Sequence, residues 1–192
     1  MSDGFYDLAA ILGALAAAAL LIVRFRIASI RKKVLDSLPF TISRKAELSD
    51  SERQQLLGWS EDPFRVNSLG LTWSAKDEHF TLFEKGVAAS RVSLLRYKVA
   101  GLTIAGIGGV VTAPPFRGKG YASVLLELAL DQARNQYGAD FGVLFCLPDL
   151  EKFYADRGFA RARIVTDARL VPMFKQLGRR HWPDETLEMG PW

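Results

Sequence analysis

Residues 111–122 read V-T-A-P-P-F-R-G-K-G-Y-A and join an apolar run to an amphipathic one. The run before them, residues 102–111, has the composition of a buried strand, and the run after them spaces its apolar residues as a helix from residue 121 does. A glycine-rich turn at a helix N-terminus lets backbone N–H groups approach an anion, and the helix dipole favours its negative charge. Arg117 and Lys119 add positive charge. The stretch therefore predicts a phosphate-binding turn.

Neither common phosphate-binding motif, G-x-x-x-x-G-K-[ST] or G-x-G-x-x-G, occurs in the chain. Residues 117–122, R-G-K-G-Y-A, instead resemble the R/Q-x-x-G-x-G/A signature with which GNAT acyltransferases hold the pyrophosphate of acetyl-CoA. Residues 153–159, F-Y-A-D-R-G-F, resemble the F-Y-x-x-x-G-F element that closes the cofactor site in that family. The two elements stand in the family order with an apolar run, residues 141–147, between them. The chain is therefore identified as a member of this family.

This resemblance implies a fold class and a set of site residues. The fold is α/β, the GNAT acyl-CoA N-acyltransferase fold, with a mixed, mostly antiparallel sheet flanked by helices. A neutral amine attacks the thioester of acetyl-CoA directly in this family, and no metal is needed. The backbone of Gly109, Val110 and Val111 is expected to pair with the pantetheine arm, and Tyr154 to give a proton to the departing thiolate. The residues expected to hold the pyrophosphate are Arg117, Gly118, Lys119, Gly120, Tyr121 and Ala122.

Local signals predict the order of the elements. Ser49 and Glu52 form a capping box at the start of a helix, and Gly138 is a natural residue to end one. The pairs Lys85-Gly86 and Ala100-Gly101 predict turns between strands. The predicted strands are residues 40–44, 79–84, 87–96, 102–111 and 141–147 and one from Phe159, and the predicted helices are residues 50–58, 121–136 and 149–157.

Further short segments resemble a bacterial subgroup near the aminoglycoside 2′-N-acetyltransferases, over roughly residues 40–192. They are D-P-F at 62–64, L-T-W at 71–73, K-D-x-H at 76–79, G-I-G-G-V-V-T at 106–112, L-F-C at 144–146, W-P at 182–183 and P-W at 191–192. Those enzymes carry a catalytic glutamate on the long strand, and this chain has Gly108 there. His79, Glu188 and the terminal carboxylate of Trp192 remain as candidate bases, and an amine that arrives deprotonated needs none.

An aminoglycoside is a polycation, so a site for one is expected to be acidic. The acidic residues available for such a site are Asp149, Glu151, Asp184, Glu185 and Glu188. Cys146 stands in an apolar strand without an adjacent base, and we interpret it as a core residue rather than a nucleophile. A membrane-anchored enzyme fits a lipid-linked, peptide or protein amine better than a soluble antibiotic.

The N-terminal segment predicts a membrane anchor. Residues 8–23 carry no charge, and the run extends to residue 5 if Asp7 is tolerated. This is the lower limit for a transmembrane helix, which needs ~17–25 apolar residues. A basic cluster follows in residues 24–33, which predicts a single pass through the inner membrane at residues 5–23 with the following domain in the cytoplasm. The alternative is an apolar helix buried against the domain or a partner.

Composition limits the number of domains and the classes of ligand to expect. The 192 residues suffice for one globular domain and one extra element, which we place at residues 39–192 and 1–38. A single cysteine excludes an internal disulfide. The sequence contains no Cys/His cluster with the spacing of metal ligands. The net charge is +4 and there is no basic stripe interleaved with aromatic residues, so we do not expect nucleic acid as a partner.

Two functions follow from these patterns. The first is an acetyl-CoA-dependent N-acetyltransferase that acts on a primary amine of unknown identity, with a longer acyl donor left open. The alternative is a membrane-bound subunit or assembly module, within a larger membrane complex, that keeps the fold with weak or no catalysis. Gly108 at the position of the base favours the alternative.

Overall fold

The computed structural model describes residues 39–65, 67–70, 75–167 and 169–189. The chain divides into two compact units, Met1–Thr41 and Ile42–Trp192, and the second contains the features described below. The predicted anchor at residues 5–23 lies outside the described residues, so the anchor and the domain boundary after residue 38 stay predictions. Within the residues that the structure describes, no helix is both long and apolar enough to cross a membrane.

A seven-stranded sheet forms the body of the second unit. Its spatial order is β1-β2-β3-β4-β5-β8-β6, and β7 pairs with β9 in a separate two-stranded ribbon. Strands β4 and β5 run parallel, whereas the β2–β3, β3–β4, β5–β8 and β6–β8 pairs are antiparallel. The strands are β1 (Phe40–Lys45), β2 (Glu78–Glu84), β3 (Val87–Val99), β4 (Leu102–Thr112), β5 (Phe141–Cys146), β6 (Ala160–Arg161), β7 (Ile164–Val165), β8 (Val171–Gln176) and β9 (Leu187–Glu188). The predicted mixed, mostly antiparallel sheet is confirmed.

Within the described residues three α-helices accompany the sheet: α1 (Asp50–Leu57), α2 (Tyr121–Tyr137) and α3 (Glu151–Ala155). The capping box of Ser49 and Glu52 is formed at the start of α1, and Gly138 ends α2 with a φ of 60°. Helix α3 is shorter than predicted, because Pro148–Leu150 forms a separate 3₁₀ turn before it. Local capping chemistry thus sets the ends of α1 and α2.

The turns between β2, β3 and β4 lie where the sequence predicts them. Lys85 and Gly86 have φ values of 51° and 80°, and Ala100 and Gly101 have 48° and 72°. Two consecutive positive φ values are the geometry of the type I′ turn, whose twist matches that of the strands it joins.

The C-terminal part departs from the prediction. Instead of one strand from Phe159, the chain forms the short strands β6 and β7 and then β8, which pairs with β5 from Phe141↔Gln176 to Cys146↔Val171. The sequence hid β8 because Pro172 lies inside it, and a proline argues against a strand within a sheet. Tertiary packing supports the strand nevertheless: Phe174 stacks on Trp182 with ring centroids 4.4 Å apart, and both rings contact Phe141 edge-on.

The parallel pair β4–β5 creates the opening on which the site depends. Its register runs from Ile104↔Phe141 to Ile107↔Leu144 and goes no further. Strand β4 nevertheless continues to Thr112 and β5 to Cys146. Beyond this point the backbone groups of β4 and β5 no longer pair with each other, and a cavity opens between the two strands.

Candidate active site

Two cavities meet at the end of β4. The first, of about 680 Å³, is lined by residues 107–112 of β4, residues 144–146 of β5, Arg117 and Tyr154. The second, of about 870 Å³, is lined by His79 and Arg91, among others. Gly109 lines both. Two cavities that share part of their lining suit a reaction between two molecules, one in each cavity.

Gly109 is the extra residue of a β-bulge. Between Arg91↔Val111 and Ser93↔Gly108, two steps along β3 face three steps along β4. Gly109 has a φ of 57°, and a Cβ added there would lie 2.8 Å from Nη2 of Arg91 and 3.1 Å from Oγ of Ser93. Arg91 Nε donates a hydrogen bond to the Gly109 carbonyl at 3.2 Å. A side chain at this position would be strained and would displace Arg91 or Ser93, and a bulge frees backbone groups from the ladder for a ligand.

The predicted phosphate-binding turn has the expected geometry. Gly118 and Gly120 have φ values of 77° and 79°, and no atom lies within 4 Å of a Cβ added to either. The Gly120 carbonyl accepts the N–H groups of Ser123 and Val124, so the N–H groups before them lie at the open end of α2. Open space, helix N–H groups and a helix dipole together fit a pyrophosphate. Residues 118–122 stand beside the first cavity, immediately after Arg117, rather than in its wall.

The two cations of this turn differ in their surroundings. Arg117 lines the first cavity, donates from Nε to the Thr112 carbonyl at 3.1 Å, and lies 4.9 Å over the ring of Trp59. Lys119 Nζ donates to both carboxylate oxygens of Glu84, at 2.8 and 2.7 Å. The hydroxyl of Tyr121 donates to the same carboxylate at 2.8 Å, and these hydrogen bonds lower the pKa of Glu84. Glu84 of β2 therefore neutralises part of the charge of Lys119.

We expect Arg117→Ala to weaken acetyl-CoA binding by about 10-fold or more, since one charge-assisted phosphate contact contributes about 1.5–3 kcal/mol. Lys119→Ala should cost less, because Glu84 already neutralises part of its charge. Isothermal titration of both variants measures the difference. A larger effect for Lys119→Ala would show that Lys119 exchanges Glu84 for phosphate on binding. Equal affinity in Arg117→Ala and the wild type would remove Arg117 from the phosphate site.

Tyr154 lies in the wall of the first cavity with 6% of its surface exposed. The rings of Phe153 and Phe159 contact it edge-on, at 5.0 and 5.8 Å between centroids. Burial is the main reason that the pKa of Tyr154 stands well above its usual value, and the neighbouring Cys146 raises it further. The phenol therefore keeps its proton at neutral pH, and the raised pKa also makes it a weaker acid toward a thiolate than an ordinary tyrosine. Its role as the proton donor stays a prediction.

Cys146 also lines the first cavity, and its Sγ lies 3.8 Å from Sδ of Met173. Burial raises the pKa of its thiol to about 11. A thiol that holds its proton so firmly is a poor nucleophile, in agreement with the interpretation from sequence.

His79 is the candidate base that the structure brings to the junction. It lies on β2 in the wall of the second cavity, with Nδ1 2.7 Å from Oγ of Ser93. Burial and then the charge of Arg91 lower the pKa of His79 to about 4, so the imidazole is neutral at pH 7. Glu188 lines neither of the two cavities, and Trp192 lies outside the described residues. Gly108 faces Ser93 across β3–β4 and offers no side chain.

The five acidic residues considered for a polycationic substrate do not converge on the second cavity. Asp149 lines the first cavity, and Glu151 pairs with Arg161. Asp184, Glu185 and Glu188 are exposed and line neither cavity. The aminoglycoside resemblance therefore gains no support from these positions.

Sequence reasoning missed Arg91 and Ser93, although both are buried next to Gly109. A signal was present, since Arg91 is a charged residue inside the largely apolar run V-A-A-S-R-V-S-L-L at residues 87–95. Charged side chains are almost never fully buried without a partner or a function.

Comparison with known proteins agrees with this geometry. The sequence profile of the acetyltransferase (GNAT) family matches residues 45–159. Among solved structures, the GNAT family N-acetyltransferase YhbS from Escherichia coli, determined in complex with CoA, superposes with a TM-score of 0.59 at 16% identity, covering 81% of this chain and 91% of that one. ElaA from Escherichia coli gives 0.54 at 18% identity, covering 71% and 99%. An acyl-CoA N-acyltransferase from Pseudomonas aeruginosa gives 0.51 at 22%, also covering 71% and 99%.

A search of curated proteins finds no significant match. The structural likenesses show the fold, and the family profile spans more than half of the chain, including both motifs and the bulge at Gly109. The chain therefore belongs to the GNAT family of N-acetyltransferases, whose acyl donor is acetyl-CoA.

Proposed function

We propose that this protein transfers an acetyl group from acetyl-CoA to a primary amine that enters through the second cavity. The observation that carries the proposal is the junction of the two cavities at the Gly109 bulge. The buried phenol of Tyr154 lines the cofactor side, and the neutral imidazole of His79 lines the other. A proton donor and a proton acceptor thus line two adjoining cavities.

The chain contributes mainly orientation and proton handling. Bound acetyl-CoA supplies the activated thioester. Backbone groups of Gly109, Val110 and Val111 hold the pantetheine arm where β4 has left β5, and Arg117 and the N-terminus of α2 bind the phosphates. Holding two reactants in a fixed geometry removes a large share of the barrier to a bimolecular step. Tyr154 keeps a proton available for the thiolate.

The amine must be neutral when it attacks. Gly108 provides no base, and His79 is the residue to which we assign uptake of the amine proton. Its low pKa makes it a weak base in the free protein, because a general base works best with a pKa near the operating pH. We therefore expect the rate to rise with pH above neutrality, as more of the amine arrives deprotonated.

Isothermal titration with acetyl-CoA, followed by assay of thiol release with a panel of amines, tests the proposal. We expect binding and turnover of at least one primary amine. Folded protein that binds no acetyl-CoA would contradict it. Binding without turnover on any amine, together with recovery in a stoichiometric membrane complex, would favour the alternative of an assembly module, which Gly108 motivates.

We further propose that residues 5–23 anchor the protein in the inner membrane, with the enzymatic domain in the cytoplasm. The support is the uncharged run and the basic cluster that follows it. The cytoplasmic side is also where acetyl-CoA is found.

Deletion of residues 1–38 should move the protein from the membrane fraction to the soluble fraction and leave acetyl-CoA binding intact. The reason is that the first described strand begins at Phe40 and both cavities are lined by later residues. Fractionation and isothermal titration of both proteins measure the effect. An aggregated or non-binding truncated protein would show instead that the apolar segment is part of the domain.

A further inference from the structure

Arg91 is a buried cation in the wall of the second cavity, with 6% of its surface exposed. Its contacts are the hydrogen bond from Nε to the Gly109 carbonyl and a 5.7 Å approach to the ring of Phe64. No carboxylate in the described part of the chain forms an ion pair with it. A guanidinium has five N–H donors in a fork that matches a carboxylate. The donors on Nη1 and Nη2 are thus left for a ligand.

Two further cations lie near Arg91. Arg53 of α1 and Lys76 line the same cavity. Burial and the charge of Arg53 lower the pKa of Arg91 to about 10, at which it stays a cation at neutral pH. Burial and the charge of Arg91 lower the pKa of Lys76 to about 8. The charges of all three lower the pKa of His79, and the charge of Glu52 acts in the opposite direction.

Four acidic residues also line this cavity, and within the described residues none of them forms an ion pair with Arg91. Glu52 accepts hydrogen bonds from Lys45 and from the backbone and side chain of Ser49. Among the acidic residues that line the cavity, Asp77 accepts the Arg96 backbone N–H at 2.6 Å. The others are Asp62, which accepts the Ser68 N–H at 2.9 Å, and Glu47 and Glu61, which are exposed. A buried cation without an anionic partner is costly, and a bound anion relieves that cost.

We propose that the acceptor is a small amine that carries a carboxylate a few bonds from its amino group, and that Arg91 binds this carboxylate. The inference rests on the proposed acetyl transfer. The short spacing follows from Gly109: Arg91 is bonded to its carbonyl, and the two cavities meet at the same residue. A carboxylate on Arg91 therefore places an amine within reach of the thioester only if few bonds separate the two groups.

The reaction on such an acceptor balances without a further reagent. The amine nitrogen forms a bond to the acetyl carbon as the bond from that carbon to sulfur breaks. Tyr154 gives its proton to the sulfur and is reprotonated from solvent, while the amine proton leaves through His79. The products are an N-acetylated acid and the thiol of CoA.

Matched pairs of substrates test the inference. The panel holds the proteinogenic amino acids and β-alanine, each beside its carboxamide, with thiol release as the readout. We expect at least one acid to show a kcat/KM about 10- to 100-fold above that of its own amide, the size of a charge-assisted contact. The amino group of an amide loses its proton more readily than that of the acid. A preference for the acid therefore cannot come from amine reactivity.

Two variants separate charge from shape. Arg91→Met keeps the length of the side chain and removes the charge. In this variant the ratio of kcat/KM for an acid to kcat/KM for its amide should fall to about one, whatever the absolute rate of the variant. Arg91→Lys keeps the charge without the fork, and should keep part of the ratio. Isothermal titration with acetyl-CoA shows whether each variant still folds its cofactor site.

A second readout does not require turnover. The chain has two histidines, and the variant His79→Gln assigns their NMR signals. In the presence of CoA, N-acetylglycine should raise the pKa of His79, because its carboxylate offsets the charges of Arg91, Arg53 and Lys76. N-acetylglycinamide should leave this pKa unchanged, and Arg91→Met should abolish the effect of the acid.

The outcomes distinguish the inference from the proposed function. If the enzyme acetylates amides as well as acids, or if Arg91→Met keeps the preference, the inference is wrong and the acetyltransferase proposal stands. The inference is equally wrong, and the proposal equally intact, if only amines without a carboxylate react. Bound acetyl-CoA with no acid turned over and no response of His79 to N-acetylglycine also overturns the inference. A folded protein that binds no acetyl-CoA removes both.

Discussion

Replacement of Tyr154 by phenylalanine is expected to lower the acetyl-transfer rate by about 10²–10⁴-fold with little change in acetyl-CoA affinity. The ring contacts with Phe153 and Phe159 persist in the variant, and only the hydroxyl is lost. The elevated pKa of Tyr154 means that the group removed is a proton donor at neutral pH. Steady-state kinetics and isothermal titration with acetyl-CoA measure the two quantities.

Tyr137→Phe is the matched control. The hydroxyl of Tyr137 donates to Glu78, and the residue lines neither of the two cavities, so its loss should leave the rate unchanged. The free energy of unfolding should change by no more than a hydrogen bond, about 0.5–1.5 kcal/mol, in either variant. Unchanged turnover in Tyr154→Phe would assign protonation of the thiolate to water or another group. A change confined to the KM of the amine would make Tyr154 a positioning residue.

Gly109→Ala is expected to destabilise the fold by about 1–3 kcal/mol, the cost of a side chain held in a left-handed conformation beside close neighbours. The new Cβ would lie 2.8 Å from Nη2 of Arg91, so either the arginine or the bulge must move. A displacement of about 1 Å at a reacting centre costs up to about 10²-fold in rate, and we expect a loss of that order. Denaturant unfolding and kcat/KM measure both effects.

Gly86→Ala separates conformational strain from the clash. Gly86 has a φ of 80° in the β2–β3 turn, and no atom lies within 4 Å of an added Cβ. In this variant the strain of a positive φ should lower the free energy of unfolding, and the activity should be unchanged. If Gly109→Ala matches it in stability and keeps full activity, the bulge does not shape the site.

Local chemistry made several elements predictable. Ser49 and Glu52 satisfy each other's backbone groups at the start of α1, and Lys85-Gly86 suits the positive φ values of its turn. These preferences depend on neighbours in sequence. The backbone geometry of the proposed phosphate-binding turn was predictable for the same reason, since Gly118 and Gly120 mark positive φ values at the start of a helix.

Other features depended on residues far apart in the chain. Strand β8 was missed because Pro172 argues against a strand, and its support comes from β5 and from Trp182. The partner of Lys119 is Glu84, 35 residues earlier, which no local pattern relates to the turn. Such long-range pairs exist only once the sheet has formed.

The sequence by itself determined the family and the candidate functional groups. The glycine-rich turn before α2 and the tyrosine of the F-Y-x-x-x-G-F element are each encoded within a few residues. Glycines at these positions directly set the local backbone conformation. The tertiary structure decided which side chains face each other across the junction. Arg91 and His79 line one cavity with Gly109 because β2, β3 and β4 are adjacent and a bulge shifts the register of β3 and β4. Burial then decided the charge states, since removal from water raises the pKa of Tyr154 and lowers that of His79. Burial is a property of the packed sheet as a whole, and so the proposed acceptor site emerges only from the fold.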